Sequence, residues 1–163
     1  MTERQIYLCI GGNLGEREAN LEETRMFLGF NFGDIISLSS IYETEPWEMK
    51  EVPSFLNQVV LVKSTLTDNE LLSEIAELEE FYGRERDKDE YLSREMDIDV
   101  LFIQDEKINT DKLIVPHPKL HLRRFVLVPM TEIAPDFIHP VLKKSMEELL
   151  KDCDDPSQVS KIK

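Results

Sequence analysis

Two aspartates one residue apart, Asp97 and Asp99, stand in the run Met96-Asp97-Ile98-Asp99-Val100-Leu101-Phe102. In an extended strand successive side chains point to opposite faces, so both carboxylates share one face, about 6.6 Å apart along the chain. Met96, Ile98 and Val100 take the other face. Like charges this close oppose one another unless something neutralises them. A hard cation would do so, and Mg²⁺ suits the arrangement because it keeps several waters and fills its remaining positions with substrate phosphates. The same alternation also fits a half-exposed strand with solvated acids, and the pattern leaves both readings open. Basic residues gather in two short stretches: Arg84, Arg86, Lys88 and Arg94, then Lys112, Lys119, Arg123 and Arg124. Converging on the aspartates, they would form an anion site beside a cation site, the charge arrangement that phosphoryl transfer uses. Taken singly, each is ordinary surface charge.

Other chemistries are excluded by what is missing. Gly11-Gly12-Asn13-Leu14-Gly15 matches neither the P-loop nor the dinucleotide-binding glycine pattern, so a nucleotide must be held by other means. His117 and His121 have zinc-like spacing, but Pro116 and Pro118 disfavour a regular helix there and no third nitrogen or sulfur ligand is near in sequence. With 33 acidic and 19 basic residues the net charge is −14, which argues against a general nucleic-acid binder. Cys9 reads as a small core residue and Cys153 as part of a polar tail, which is no disulfide framework. The opening Met1-Thr2-Glu3-Arg4-Gln5 carries no signal-peptide core, and no apolar run approaches the ~18 residues that span a bilayer. The expectation is a soluble cytoplasmic protein that binds neither nucleic acid nor membrane.

The elements that must hold these residues follow from periodicity. At 163 residues the chain is long enough for one domain, taken as residues 1–163. Ile6 to Ile10 reads as a buried strand ended by the glycine-rich turn. Glu16 to Phe30 reads as a helix with Leu21, Thr24 and Leu28 on one face. Asp34 to Trp47 and Phe55 to Val62 read as strands. Thr67-Asp68-Asn69-Glu70 is a capping box opening a helix through Leu71, Ile75, Leu78 and Tyr82. Gly83 to Glu95, almost wholly charged, is a long loop of the kind that forms lids. Met96 to Ile103 is the aspartate strand, and helices are expected over Phe125 to Ile133 and Ser145 to Lys151. The order strand, helix, strand, strand, helix, strand implies an α+β fold: a ferredoxin-like βαββαβ core, mainly antiparallel, with C-terminal additions.

Six ordered blocks carry a family likeness: Ile10-Gly11-Gly12-Asn13-Leu14-Gly15-Glu16-Arg17, Tyr42-Glu43-Thr44-Glu45-Pro46-Trp47, Phe55-Leu56-Asn57-Gln58-Val59-Val60, Met96 to Leu101, Val115-Pro116-His117-Pro118, and Arg123-Arg124-Phe125-Val126-Leu127-Val128-Pro129. In order and spacing, from about Ile6 to Pro140, the chain resembles the 6-hydroxymethyl-7,8-dihydropterin pyrophosphokinases. The resemblance implies transfer of pyrophosphate from ATP to a reduced hydroxymethylpterin, with release of AMP, in folate biosynthesis.

The same resemblance implies that Asp97 and Asp99 bind two Mg²⁺ ions, and that Arg84 and Arg94 close on the phosphates from a loop. Glu79, Arg86, Ile98, Lys112, His117 and Arg123 fall at nucleotide-contacting places, with Lys112 standing where arginine is common. Thr44 and Trp47, largely through backbone, and Phe55, Asn57 and Phe125 fall where the family holds the pterin. Two aromatic rings can sandwich a flat heterocycle, and an amide offers its edge both donor and acceptor. Without the likeness, Phe55 and Phe125 would read as core, His117 as a cap and Glu79 as solvated. The loop departs from the family pattern: Asp89-Glu90-Tyr91-Leu92-Ser93 stands where a basic run with tryptophan and Gly-Pro is usual. Two rival functions use the same residues differently. A Mg²⁺-dependent nucleotide hydrolase would consume ATP alone, and a non-catalytic ferredoxin-like ligand-binding domain would bind no ATP.

Overall fold

The longest apolar runs in the chain become its central strands. In the computed structural model, which describes residues 2–45, 53–83 and 95–163, the elements are β1 (Arg4–Gly12), α1 (Arg17–Asn31), β2 (Gly33–Leu38), β3 (Tyr42–Thr44), β4 (Phe55–Ser64), α2 (Asp68–Phe81), β5 (Asp97–Ile103), β6 (Ile108–Asn109), β7 (Ile114–Val115), a 3₁₀ turn (Leu120–Leu122), α3 (Arg124–Ile133), α4 (Met146–Asp152) and β8 (Val159–Lys161). β1 and β4 pair antiparallel from Arg4 opposite Ser64 to Gly12 opposite Leu56. The sheet order is β5-β1-β4-β3-β8, with β2 also on β4, and its neighbours are all antiparallel. This is the split βαβ arrangement expected from the element order. β8 extends the sheet beyond β3.

Both faces of the sheet are covered, so β1 and β4 are apolar on both sides. Ile6, Leu8, Ile10, Val60 and Val62 pack with Leu21 and Leu28 of α1 and Leu71, Ile75 and Leu78 of α2. On the opposite face Tyr7, Cys9, Val59, Leu61, Leu101 and Phe102 pack with Leu120, α3 and α4. The Thr67–Glu70 capping box opens α2 as the sequence predicts, and a second box, Ser145 with Glu148, opens α4. Cys153 is half-buried against the second core rather than lying in a solvated tail, because the segment after α4 runs back to pair as β8.

The expected strand Asp34 to Trp47 is two strands. Ser39 breaks it: its N–H bonds to the Val59 carbonyl at 2.9 Å, while its hydroxyl, not its carbonyl, accepts the Val59 N–H at 2.9 Å. The Ser39 carbonyl turns away to accept from the Gln58 amide at 2.7 Å. Trp47 lies outside the described residues, as does most of the long charged loop.

The α3–α4 connection is organised by His139, which is only 4% exposed. Its Nδ1 accepts the backbone N–H groups of Val141 (3.1 Å) and Leu142 (3.0 Å), and its ring edge rests on Phe102. Burial, then the charge of His121, hold its pKa down to about 4 against an ordinary 6.5. Protonation would also break both hydrogen bonds. Unfolded chains therefore take up this proton below about pH 6.5 and folded ones only near 4, so stability is full above 6.5 and declines as pH falls between them. The thermal midpoint should fall over this window. His139→Asn, whose Oδ1 accepts the same N–H groups without titrating, should make the decline shallower.

Candidate active site

Strand register brings the candidate residues onto one face. Asp97 and Asp99 open β5, half-buried, while Ile98 between them is turned into the α1–α2 core. Asp97 lies opposite Gly11, Gly11 opposite Asn57, and Asn57 opposite Tyr42. Directly opposed residues share a face, so one row across three strands presents a carboxylate, bare backbone and a carboxamide. Gly11 must be bare: a Cβ there would collide with the Leu56 carbonyl oxygen and with Asn57 Oδ1. In the next row Asp99 lies opposite Cys9, and Cys9 opposite Val59. Burial first, then the charges of Asp99 and Asp97, push the Cys9 thiol well up, against a smaller opposing effect of Arg123. Cys9 is thus a neutral floor beneath the two carboxylates.

The segment after β7 supplies a cationic wall. The His117 N–H donates to the Leu101 carbonyl at 3.0 Å, and His117 Nδ1 accepts the Lys119 N–H at 3.1 Å. Burial, then Arg123, push the His117 pKa down to about 4, with Asp97 pulling the other way. His117 is therefore neutral at physiological pH, and with Nδ1 accepting, its proton sits on Nε2. Arg123 lies with its guanidinium 5.7 Å from the centroid of the Phe125 ring. His117 and Arg123 thus stand within electrostatic reach of the aspartates.

On the outer edge of β5, Glu79 of α2 accepts the Ile98 N–H at 3.2 Å. Two residues assigned to the nucleotide from sequence are thus joined to each other. Thr44 and Phe55 are opposed in the β3–β4 ladder, and Phe55 and Asn57 alternate onto the same face of β4. Thr44 is buried, and its Oγ1 has no hydrogen-bond partner among the described residues. Phe125, in the first turn of α3, packs partly against the second core. Lys112 stands apart, exposed between β6 and β7 and lining a groove along the start of α2 with Asp68, Leu72 and Thr110. Trp47, Arg84, Arg86 and Arg94 lie outside the described residues.

Sequence reasoning took Gly11 to Gly15 as a turn and missed two jobs done there. A glycine inside an apolar strand signals close approach of another chain segment, and Gly11 fits that signal. Asn13, 1% exposed, donates to the Pro53 carbonyl at 3.1 Å. Arg17 donates to the Ser54 carbonyl and to Glu43, both at 2.8 Å. Together they anchor the chain that leads into Phe55.

Among known proteins, the family described as 7,8-dihydro-6-hydroxymethylpterin-pyrophosphokinase (HPPK) matches residues 7–135. A 2-amino-4-hydroxy-6-hydroxymethyldihydropteridine pyrophosphokinase from Aquifex aeolicus is 37% identical over 147 residues, 88% of each chain. One from Bacillus subtilis is 38% identical over 128 residues, covering 78% of this chain and 76% of its own. The solved HPPK-DHPS protein of Plasmodium falciparum, crystallised with pterin and p-hydroxybenzoate, superposes with a TM-score of 0.71 at 18% identity. That match covers 93% of this chain but 43% of the Plasmodium chain, so the likeness concerns under half of the larger protein.

The Gly11 geometry gives a test that needs no ligand. Gly11→Ala should lower stability by about 1–3 kcal/mol, the range for overpacking, read as a fall in thermal midpoint. In an Asn57→Ala background the same substitution should cost less, because one of its two collisions is gone. Equal costs in both backgrounds would mean that Asn57 does not lie over Gly11.

Proposed function

The chain belongs to the 7,8-dihydro-6-hydroxymethylpterin-pyrophosphokinase family and transfers a pyrophosphoryl group from ATP to 6-hydroxymethyl-7,8-dihydropterin in folate biosynthesis, and we propose that it does so on the sheet face shared by Asp97, Asp99, Gly11 and Asn57. The observation that carries this placement is the row Asp97–Gly11–Asn57: a carboxylate at one end, with Asp99 on the same face in the next row, and at the other a buried amide lying over a glycine that leaves it room.

Asp97 and Asp99 fit Mg²⁺ by their chemistry. They are hard oxygen donors on one face of β5, the donor type that Mg²⁺ prefers. We assign two Mg²⁺ ions to this pair, and the metal supplies neutralisation of the triphosphate charge. Arg123, through its guanidinium, and His117, a neutral Nε2–H donor, face the nucleotide phosphates. Glu79 and Ile98, joined at the outer edge of β5, and Arg86 complete the nucleotide contacts, whereas Lys112 lines a separate groove and is left out of the site; Arg84 and Arg94 bring positive charge to the transferring group. Phe55 and Phe125 stack on the two faces of the pterin. Asn57 pairs with its polar edge, and Thr44 and Trp47 hold it through backbone groups. The hydroxymethyl oxygen attacks the β-phosphorus, the bond from that phosphorus to the AMP oxygen breaks, and the hydroxyl proton leaves toward Asp97. Because the reacting groups are the substrates' own, the protein acts by positioning and fixed charge. Residues 1–163 form a single pyrophosphokinase domain acting in the cytoplasm, with ATP and the reduced pterin as its partners and no nucleic acid.

Incubation with ATP, Mg²⁺ and the reduced pterin should give AMP only when the pterin is present. ADP, or AMP without pterin, would place a hydrolase activity at this face. Asp97→Ala and Asp99→Ala should each lower turnover at least ~10²-fold. Thermal midpoints measured on the same variants separate lost chemistry from lost folding. Phe125→Ala and Asn57→Ala should weaken pterin binding far more than MgATP binding. For Asn57→Ala the expected loss is about 1–3 kcal/mol, the cost of an unpaired polar edge. Calorimetric titration of each ligand checks this, and equal losses for both would indicate a damaged core instead.

A further inference from the structure

The first turn of α3 bears Phe125, with Arg123 immediately before it, and this turn lacks local support. Arg123 is the N-cap residue and makes no capping side-chain bond. An arginine has no acceptor to offer the first N–H groups of a helix. Pro129, inside α3, has no N–H, so the Phe125 carbonyl loses the intrahelical bond it would otherwise receive.

Support arrives from the far end of the chain. Asp155 Oδ2 accepts the Arg124 N–H at 3.0 Å, and Asp155 Oδ1 accepts the Ser157 N–H at 2.9 Å and the Ser157 hydroxyl at 2.6 Å. Burial alone would push the Asp155 carboxyl up, but these hydrogen bonds and the charge of Arg124 outweigh it and hold the group below its ordinary value. A lasting negative charge at a helix N-terminus is also favourable to the helix dipole. Two residues beyond Ser157, β8 begins and pairs with β3, with Val159 opposite Thr44. At the other end of α3, Glu132 accepts from the Ser40 N–H (2.7 Å), the Ser40 hydroxyl (2.7 Å) and the Tyr42 hydroxyl (3.1 Å). One C-terminal segment therefore joins the start of α3 to the β3 edge.

We propose that Asp155 is a positioning residue for the transfer reaction: it caps α3 from the C-terminal segment and so fixes where Arg123 and Phe125 stand over the sheet face. Among the described residues its hydrogen bonds go to the Arg124 and Ser157 N–H groups and the Ser157 hydroxyl, so it acts through the helix. Val126, Leu127 and Met130 bury the body of α3 in the second core. Loss of the cap therefore loosens the first turn rather than the helix. The inference rests on the reading that Phe125 holds the pterin and Arg123 the nucleotide.

The test measures kcat, KM for each substrate and thermal midpoint for Asp155→Ala, Asp155→Asn, Ser157→Ala and Phe125→Ala. Asp155→Ala should raise KM for the pterin at least ~5-fold, a larger proportional change than in kcat. Asp155→Asn keeps an acceptor for the Arg124 N–H and should return most of the loss. Ser157→Ala removes the hydroxyl bond to Asp155 but keeps the backbone one, so it should shift KM in the same direction by less, and it keeps the test open should Asp155→Ala not fold. In a Phe125→Ala background, Asp155→Ala should add little to the pterin KM, since the effect passes through that ring. A normal pterin KM in Phe125→Ala would defeat the assignment of the pterin to this ring. Phe125→Ala with raised KM, alongside Asp155 and Ser157 variants that lower only the thermal midpoint, would overturn the positioning role.

Discussion

Everything at this site depends on β1 running antiparallel between β4 and β5 in a single register. Because directly opposed residues share a face, that register alone decides that Asp97, Gly11 and Asn57 form one row and Asp99, Cys9 and Val59 the next. A slip of one residue would turn both aspartates into the apolar core and expose Ile98 in their place. The apolar side chains of β1 forbid it: Ile6, Leu8 and Ile10 pack against α1 and α2, and Tyr7 and Cys9 against the opposite layer. The same burial that stabilises the sheet therefore sets the geometry of its polar groups.

The electrostatics follow from what lies under and beside that row. The chain carries a net −14, yet it acts on a polyphosphate anion. Its carboxylate pair sits over a thiol that stays protonated, and beside a histidine that stays neutral. Neutral packing beneath a charged pair keeps water out, and in such surroundings each fixed charge acts more strongly than on the open surface. The histidine is kept neutral by its own burial and by Arg123, so the positive charge of that wall belongs to the guanidinium.

Features set by neighbouring residues were legible in the sequence. The Thr67–Glu70 capping box, the alternation around Asp97 and Asp99, and the order of elements all follow from local rules, and the structure carries them. Features set by distant partners were not. Nothing near Ser39 announces that its hydroxyl will take the place of a backbone acceptor for Val59, so one expected strand became two. Asp155 and Arg124 are separated by 31 positions, and neither residue type hints at the other. Cys9 was read correctly as small and buried, but its place under the aspartates needed the register. Phe55, Asn57 and Phe125 drew attention through the family likeness, since as residue types they are ordinary core and strand members. Lys112 shows the reverse: a basic residue grouped by sequence with Arg123 faces a different groove.

The β1–β5 ladder is not regular along its length. Tyr7 pairs with Phe102 and Leu8 with Val100, so Leu101 is an extra residue, a bulge between the half of the strand that carries the aspartates and the half that ends in the core. Leu101 and Phe102 consequently lie in the same layer despite being adjacent. The bulge separates the phase of the two halves. A deletion or insertion near Phe102 can be absorbed at Leu101, by removing or widening the bulge, without rotating Asp97 and Asp99 off their face. Over evolutionary time such a strand can change length at its hydrophobic end while its reactive end keeps its phase.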